Sequence, residues 1–130
     1  MLKIRTFLQA LQRKQKTINK GKLAEQAAAS FLQKQKLCIL EKNFLCKLGE
    51  VDLICRENGV IVFVEVRYRS NDSHGNAAQS ITLGKQKKVI KAASYWLLIN
   101  HKQDVEFRFD AILFDQSIDD EHLTWLKSAF

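Results

Sequence analysis

The segment that most constrains this chain is residues 50–69, where two apolar runs are separated only by Asn58-Gly59. Asn-Gly between such runs is the strongest short-range signal for a two-residue β-hairpin, because both residues accept the positive φ of a type I′ turn. With these two at the tip, Glu57 pairs with Val60, Asp52 lies opposite Glu65, and Glu50 lies opposite Arg67. Side chains alternate along a strand, so all four charged groups are expected on one face, with directly opposed Cβ atoms about 4.5–5.5 Å apart. The run Val60–Val66 is apolar on both faces apart from Glu65, the pattern of a central buried strand. A carboxylate there is costly without a partner, and a second carboxylate opposite it adds like-charge repulsion. A shared proton, a cationic side chain or a divalent metal would relieve the strain. Facing carboxylates with open positions suit Mg²⁺ or Mn²⁺, and Arg67 would suit a phosphate beside such an ion. A purely structural reading is also open: a charge network in which Arg67 neutralises Glu50 and Glu65 while Asp52 is solvated near the strand end.

Around this hairpin the periodicity changes. Residues 21–36 are rich in Ala, Leu, Gln and Lys and predict a helix. Leu23, Ala27 and Phe31 form one stripe on it; Glu25, Ala28, Ala29 and Leu32 form the next, which leaves Glu25 as a lone carboxylate on an apolar flank. Residues 38–46 predict a further strand and residues 70–81 a polar loop. Residues 82–101 predict a helix capped by Thr82, with Val89, Ile90, Ala93, Trp96 and Leu97 towards the core. Residues 105–115 read as the last strand, and residues 119–130 as a short acidic closing helix. The expected fold is one α/β domain over residues 21–130, a mixed sheet flanked by helices. The helical crossover between the third and fourth strands lets those two run parallel.

The net charge is +7 over 130 residues, but it is unevenly spread. Residues 1–36 carry nine basic residues against a single acid, Glu25, whereas residues 103–130 carry seven acids against two basic residues. A basic head suggests a polyanionic partner or surface, against the plainer reading of a solvated basic helix. Residues 1–20 read as a basic arm, in which Ile4, Phe7, Leu8 and Leu11 recur at helical spacing. Cys38, Cys46 and Cys55 fit no zinc or redox spacing; they are expected as reduced core thiols, which favours a cytoplasmic location. No apolar stretch is long enough to span a membrane. Ser73 and His74 lack a third group to orient them and are expected to be loop residues. Trp96 and Tyr68 are expected to pack, and Tyr95 is a weak candidate for stacking on a base.

The blocks Glu25, Gly49-Glu50-Val51-Asp52-Leu53-Ile54, Phe63-Val64-Glu65-Val66-Arg67-Tyr68-Arg69 and Lys85-Gln86 resemble the YraN-like family of small bacterial proteins. Arg108-Phe109-Asp110 fits the same pattern. That family is similar to the PD-(D/E)XK nuclease superfamily and to archaeal-type Holliday junction resolvases. The resemblance covers about residues 19–115 and implies a restriction-endonuclease-like αβββαβ core. It implies that Asp52 and Glu65 bind Mg²⁺ or Mn²⁺, that Glu25 is a further acidic ligand or water-orienting group, and that Glu50 is an accessory acid. Gln86 would be an auxiliary active-site residue. Junction-cleaving relatives imply a possible homodimer.

One position departs from the pattern: the lysine of Glu-Val-Lys is here Arg67. Arginine keeps the charge and can clamp phosphate in a bidentate way, but it does not give up a proton. Two readings therefore stand side by side. The first is a metal-dependent endonuclease for DNA, structured DNA included, with catalytic residues Glu25, Asp52, Glu65, Arg67 and Gln86. Arg69, Lys85, Lys87, Lys88 and Lys91 would grip the backbone. The second is a nucleic-acid-binding module impaired at Arg67. A third reading has the arm, residues 3–20, bind a protein or a membrane surface.

Overall fold

The structure, a computed structural model, describes the backbone of residues 2–70 and 76–130, and within these the side chains of residues 8, 9, 20–70 and 76–130. Ser73 and His74 lie outside the described residues, as do the side chains of Ile4, Phe7 and Leu11.

The first element, α1 (Leu2–Lys34), is one helix that runs through Gly21 without a break. Three antiparallel strands follow, β1 (Cys38–Cys46), β2 (Gly49–Glu57) and β3 (Val60–Arg69). Asn58 and Gly59 both have positive φ, 49° and 85°, as a type I′ hairpin requires. A short 3₁₀ turn (Ala78–Ser80) leads into α2 (Leu83–Ile99). The Thr82 hydroxyl caps this helix by accepting the Lys85 amide at 3.2 Å. The crossover returns the chain to β4 (Phe107–Asp115), parallel to β3 from Ile61↔Phe107 to Arg69↔Asp115.

The expected closing helix is not formed. After a 3₁₀ turn (Asp120–His122) the chain adds a fifth strand, β5 (Leu123–Leu126), antiparallel to β4. The physical reason lies at Asp110, which is fully buried. Its carboxylate accepts the Trp125 indole N–H at 3.0 Å and the Ser128 amide at 3.0 Å, and the Arg108 guanidinium also reaches it at 3.0 Å. A buried carboxylate needs such partners, and the chain end that supplies two of them is thereby held against β4.

The sheet order is β1-β2-β3-β4-β5, with a helix on each face. On the α1 face Ala24, Ala28, Ala29 and Leu32 pack on Leu53, Val62, Val64 and Ile112. On the α2 face Val89, Ala92, Ala93 and Trp96 pack on Val51, Ile54, Phe63 and Phe109. Several expected core positions are corrected. Leu23 and Ile90 are exposed, and Ala24 and Ala92 take the buried places. Cys55 is buried, but Cys38 is exposed on edge strand β1. Trp96 is buried and gives its indole N–H to Glu41 at 3.1 Å. Tyr68 packs against the α1-side core. Tyr95 stacks on Phe44 with ring centroids 6.3 Å apart. No helix among the described residues is long and apolar enough to cross a membrane.

Candidate active site

The hairpin register is as the Asn-Gly turn demands from Glu57↔Val60 to Leu53↔Val64, and there the ladder stops. Asp52 and Glu65 would be the next pair. Instead, the Val66 amide donates to Asp52 Oδ2 at 2.8 Å. The Asp52 side chain thus accepts a strand N–H in place of a backbone carbonyl, and the two strands part. Strict alternation along β2 also fails here. Val51 packs on the α2 side, Leu53 on the α1 side and Ile54 on the α2 side again. Opposite Asp52, Asn43 takes a positive φ of 52° between the β1–β2 pairs Lys42↔Leu53 and Phe44↔Val51. The expected Glu50–Arg67 pairing is therefore not formed, and Glu50 is exposed. Its cause is local: β2 pairs with β1 as far as Cys46↔Gly49, so its first residues stay with β1 while β3 follows β4.

The parting opens a cleft of about 910 Å³. Acids Glu25, Glu50, Asp52 and Glu65 share its wall with the cations Lys20, Arg67, Arg69 and Lys85. Four elements thus contribute: α1, β2, β3 and the first turn of α2. The start of β2 is drawn close to α2 at Gly49. A Cβ there would lie 2.6 Å from the Lys88 carbonyl oxygen, so only glycine permits this approach.

Asp52 and Glu65 are the buried pair of the cleft, at 8% and 4% exposure. Burial first, and then the Asp52 charge, push the Glu65 carboxyl up to about 8; Arg67 and Lys85 pull the other way without overcoming them. Burial likewise raises Asp52, offset by the Val66 amide and by Arg67. Near neutral pH the pair therefore keeps a proton between its two carboxyls, a property of both groups together. Arg67 Nη2 stands 2.7 Å from Glu65 Oε1. Its Nε is buried with no hydrogen-bond partner among the described residues. Glu25 is raised by its own partial burial and by the Asp52 charge, with the Asn43 side chain opposing.

The residues fit a hard divalent cation. Mg²⁺ is commonly held by one or two carboxylates and retains several waters, and Asp52 with Glu65 supplies two oxygen-donor groups at one point. Among the described residues no three Asp, Glu, His or Cys side chains converge on a common metal position. Glu25 therefore lines the cleft with the pair without completing a three-ligand set.

The sequence-derived residues divide cleanly. Glu25, Glu50, Asp52, Glu65, Arg67, Arg69 and Lys85 all line the cleft. Gln86, Lys87, Lys88 and Lys91 do not. The Gln86 side-chain amide instead donates to the Ile81 carbonyl at 3.3 Å and closes the turn before α2. Lys87, Lys88 and Lys91 are exposed along α2. Sequence reasoning did not single out Lys20, whose ammonium lies 6.0 Å from the Tyr68 ring.

A family model described as Uncharacterised protein family UPF0102 matches residues 24–114 of the chain. The chain belongs to the UPF0102 family. A UPF0102 protein of Marinomonas sp. (strain MWYL1) is 53% identical over 120 residues, which cover 92% of this chain and 94% of that one. A UPF0102 protein of Nitrosomonas europaea is 51% identical over 112 residues, 86% and 93% of the two chains. A UPF0102 protein of Vibrio cholerae is 42% identical over 113 residues, 85% and 91%. The UPF0102 match spans every cleft residue except Lys20 and Gly21.

Proposed function

We propose that this protein is a metal-dependent phosphodiesterase of the endonuclease type that acts on DNA. One observation carries the reading: a buried carboxylate pair, Asp52 and Glu65, lies in an open cleft whose other charges are mainly cations. A structural ion pair would be served by Arg67 alone. A second buried carboxylate, three further cations and solvent access suit an ion and a polyanion better. Asp52 and Glu65 would hold Mg²⁺ or Mn²⁺. The ion supplies Lewis-acid charge at the phosphoryl oxygens and lowers the pKa of a bound water. Arg69 and Lys20 would meet neighbouring phosphates, and Lys87, Lys88 and Lys91 would extend the basic track along α2. During hydrolysis a water oxygen bonds to phosphorus as one P–O ester bond breaks; the water loses one proton and the departing oxygen gains one.

The test is cleavage of linear, nicked and four-way-junction DNA with Mg²⁺ or Mn²⁺, comparing the wild type with Glu65→Ala. Metal-dependent cleavage that the substitution abolishes is expected. Absence of cleavage on every substrate, or equal cleavage by the mutant, refutes the reading. A two-copy assembly would match the symmetry of a junction, and light scattering with and without that DNA tests it.

One contact favours a second reading. Arg67 is bound directly to Glu65, and an arginine does not release a proton. A DNA-binding module without turnover would show salt-sensitive binding that survives Asp52→Ala, and Arg67→Lys would switch cleavage on.

A further inference from the structure

The cleft contains an exposed lysine at an electrostatically unfavourable place. Lys85 lies in the first turn of α2, where the helix dipole disfavours a cation. No acidic residue stands in that turn. The neighbouring cations Arg67 and Arg69 add repulsion, and the amine's pKa is lowered, by burial first and then by Arg67. The opposing attractions come from Glu65 and Asp52. The backbone that carries it is nonetheless firmly placed. The Thr82 hydroxyl accepts the Lys85 amide, the Thr82 carbonyl accepts the Gln86 amide at 2.9 Å, and the Gln86 side chain holds the Ile81 carbonyl.

Arg67, by contrast, is committed. Its Nη2 is turned onto Glu65 and its Nε is enclosed. A guanidinium held in this way offers little to a phosphate oxygen or a water above the carboxylate pair. Lys85 lines the same cleft, feels the charges of Glu65 and Asp52, and carries a compact charge on a flexible stem.

We infer that Lys85, supplied by α2, takes the part that a lysine at position 67 would play: it holds a non-bridging oxygen of the reacting phosphate, and Arg67 orients Glu65. This rests on the nuclease reading above. The part is one of charge and position; the ammonium keeps its proton throughout.

The experiment uses the full chain and a fluorescently labelled four-way junction. Turnover is measured in Mg²⁺, and affinity is measured separately by anisotropy in Ca²⁺. Lys85→Met is expected to lower turnover by about 100-fold, the usual scale for losing one preorganised charge-stabilising donor, while affinity changes by less than about tenfold. Adding Arg67→Lys to Lys85→Met is expected to restore at least about a tenth of the wild-type rate. Unchanged turnover with weakened affinity makes Lys85 only a backbone grip and overturns the inference. A double variant as inactive as Lys85→Met overturns the exchange of roles. A wild type that cleaves nothing overturns the nuclease reading itself, and this inference with it. Wild-type cleavage with full activity in Lys85→Met overturns the Lys85 assignment alone.

Discussion

Replacing Glu65 with glutamine removes the titrating member of the buried pair while keeping its size. The Glu65 carboxyl is raised from 4.5 to about 8, which corresponds to about 5 kcal/mol against its ionised form. Because the folded-state value is raised, the folded protein keeps a proton that the unfolded chain has lost between these two values. Wild-type stability should therefore fall as pH rises through that window, by at most about 1.4 kcal/mol per pH unit from this group. It should level off below about 4.5 and above about 8. Glutamine carries no such proton. Urea unfolding at a series of pH values should show Glu65→Gln gaining on the wild type as pH rises, by several kcal/mol across the window. Saturating Mg²⁺ should reduce the wild-type fall, since a ligand that binds only the folded, ionised pair stabilises it by mass action. It should leave Glu65→Gln unmoved. Two parallel stability curves, with no effect of Mg²⁺ on either, would refute the strained pair.

Other predictions concern the frame around the site. Asp110→Ala removes the acceptor shared by Arg108, Trp125 and Ser128 and should cost about 3–5 kcal/mol; hydrogen exchange should show residues 123–130 released first. Gly49→Ala places a Cβ 2.6 Å from the Lys88 carbonyl oxygen and should cost about 1–3 kcal/mol in chemical denaturation. A thiol probe should react with exposed Cys38 in the native protein. Cys55, whose thiol is pushed up to about 12 by burial and by the Asp110 charge, should react only after unfolding.

Much of this arrangement was legible because the informative residues act locally. Asn58-Gly59 set a register that holds for the five pairs nearest the turn, and the apolar run through Val66 marked β3 as central. The departure began where a side chain replaced a backbone partner, at Asp52, and no periodicity records that exchange. The C-terminal strand was misread for a related reason. Residues 119–130 are polar and short, and what makes them a strand edge is a distant buried carboxylate, Asp110, rather than their own pattern. The helix faces erred through size: Ala24 and Ala92 are buried where Leu23 and Ile90 stand exposed, since close helix–sheet approach selects small residues. Gln86 could not be assigned from its neighbourhood in sequence, because its partner is the backbone of the turn that it closes. Lys85 and Gln86 are adjacent in the chain, yet only the first faces the cleft.

The central claim, that Asp52 and Glu65 together form a divalent-cation site, is tested most directly by titrating Mn²⁺ and following its spin-resonance signal. One tightly held Mn²⁺ per chain is expected for the wild type, with binding lost or weakened at least about tenfold in both Asp52→Asn and Glu65→Gln. Failure of the wild type to bind Mn²⁺, or binding that neither substitution weakens, would contradict it.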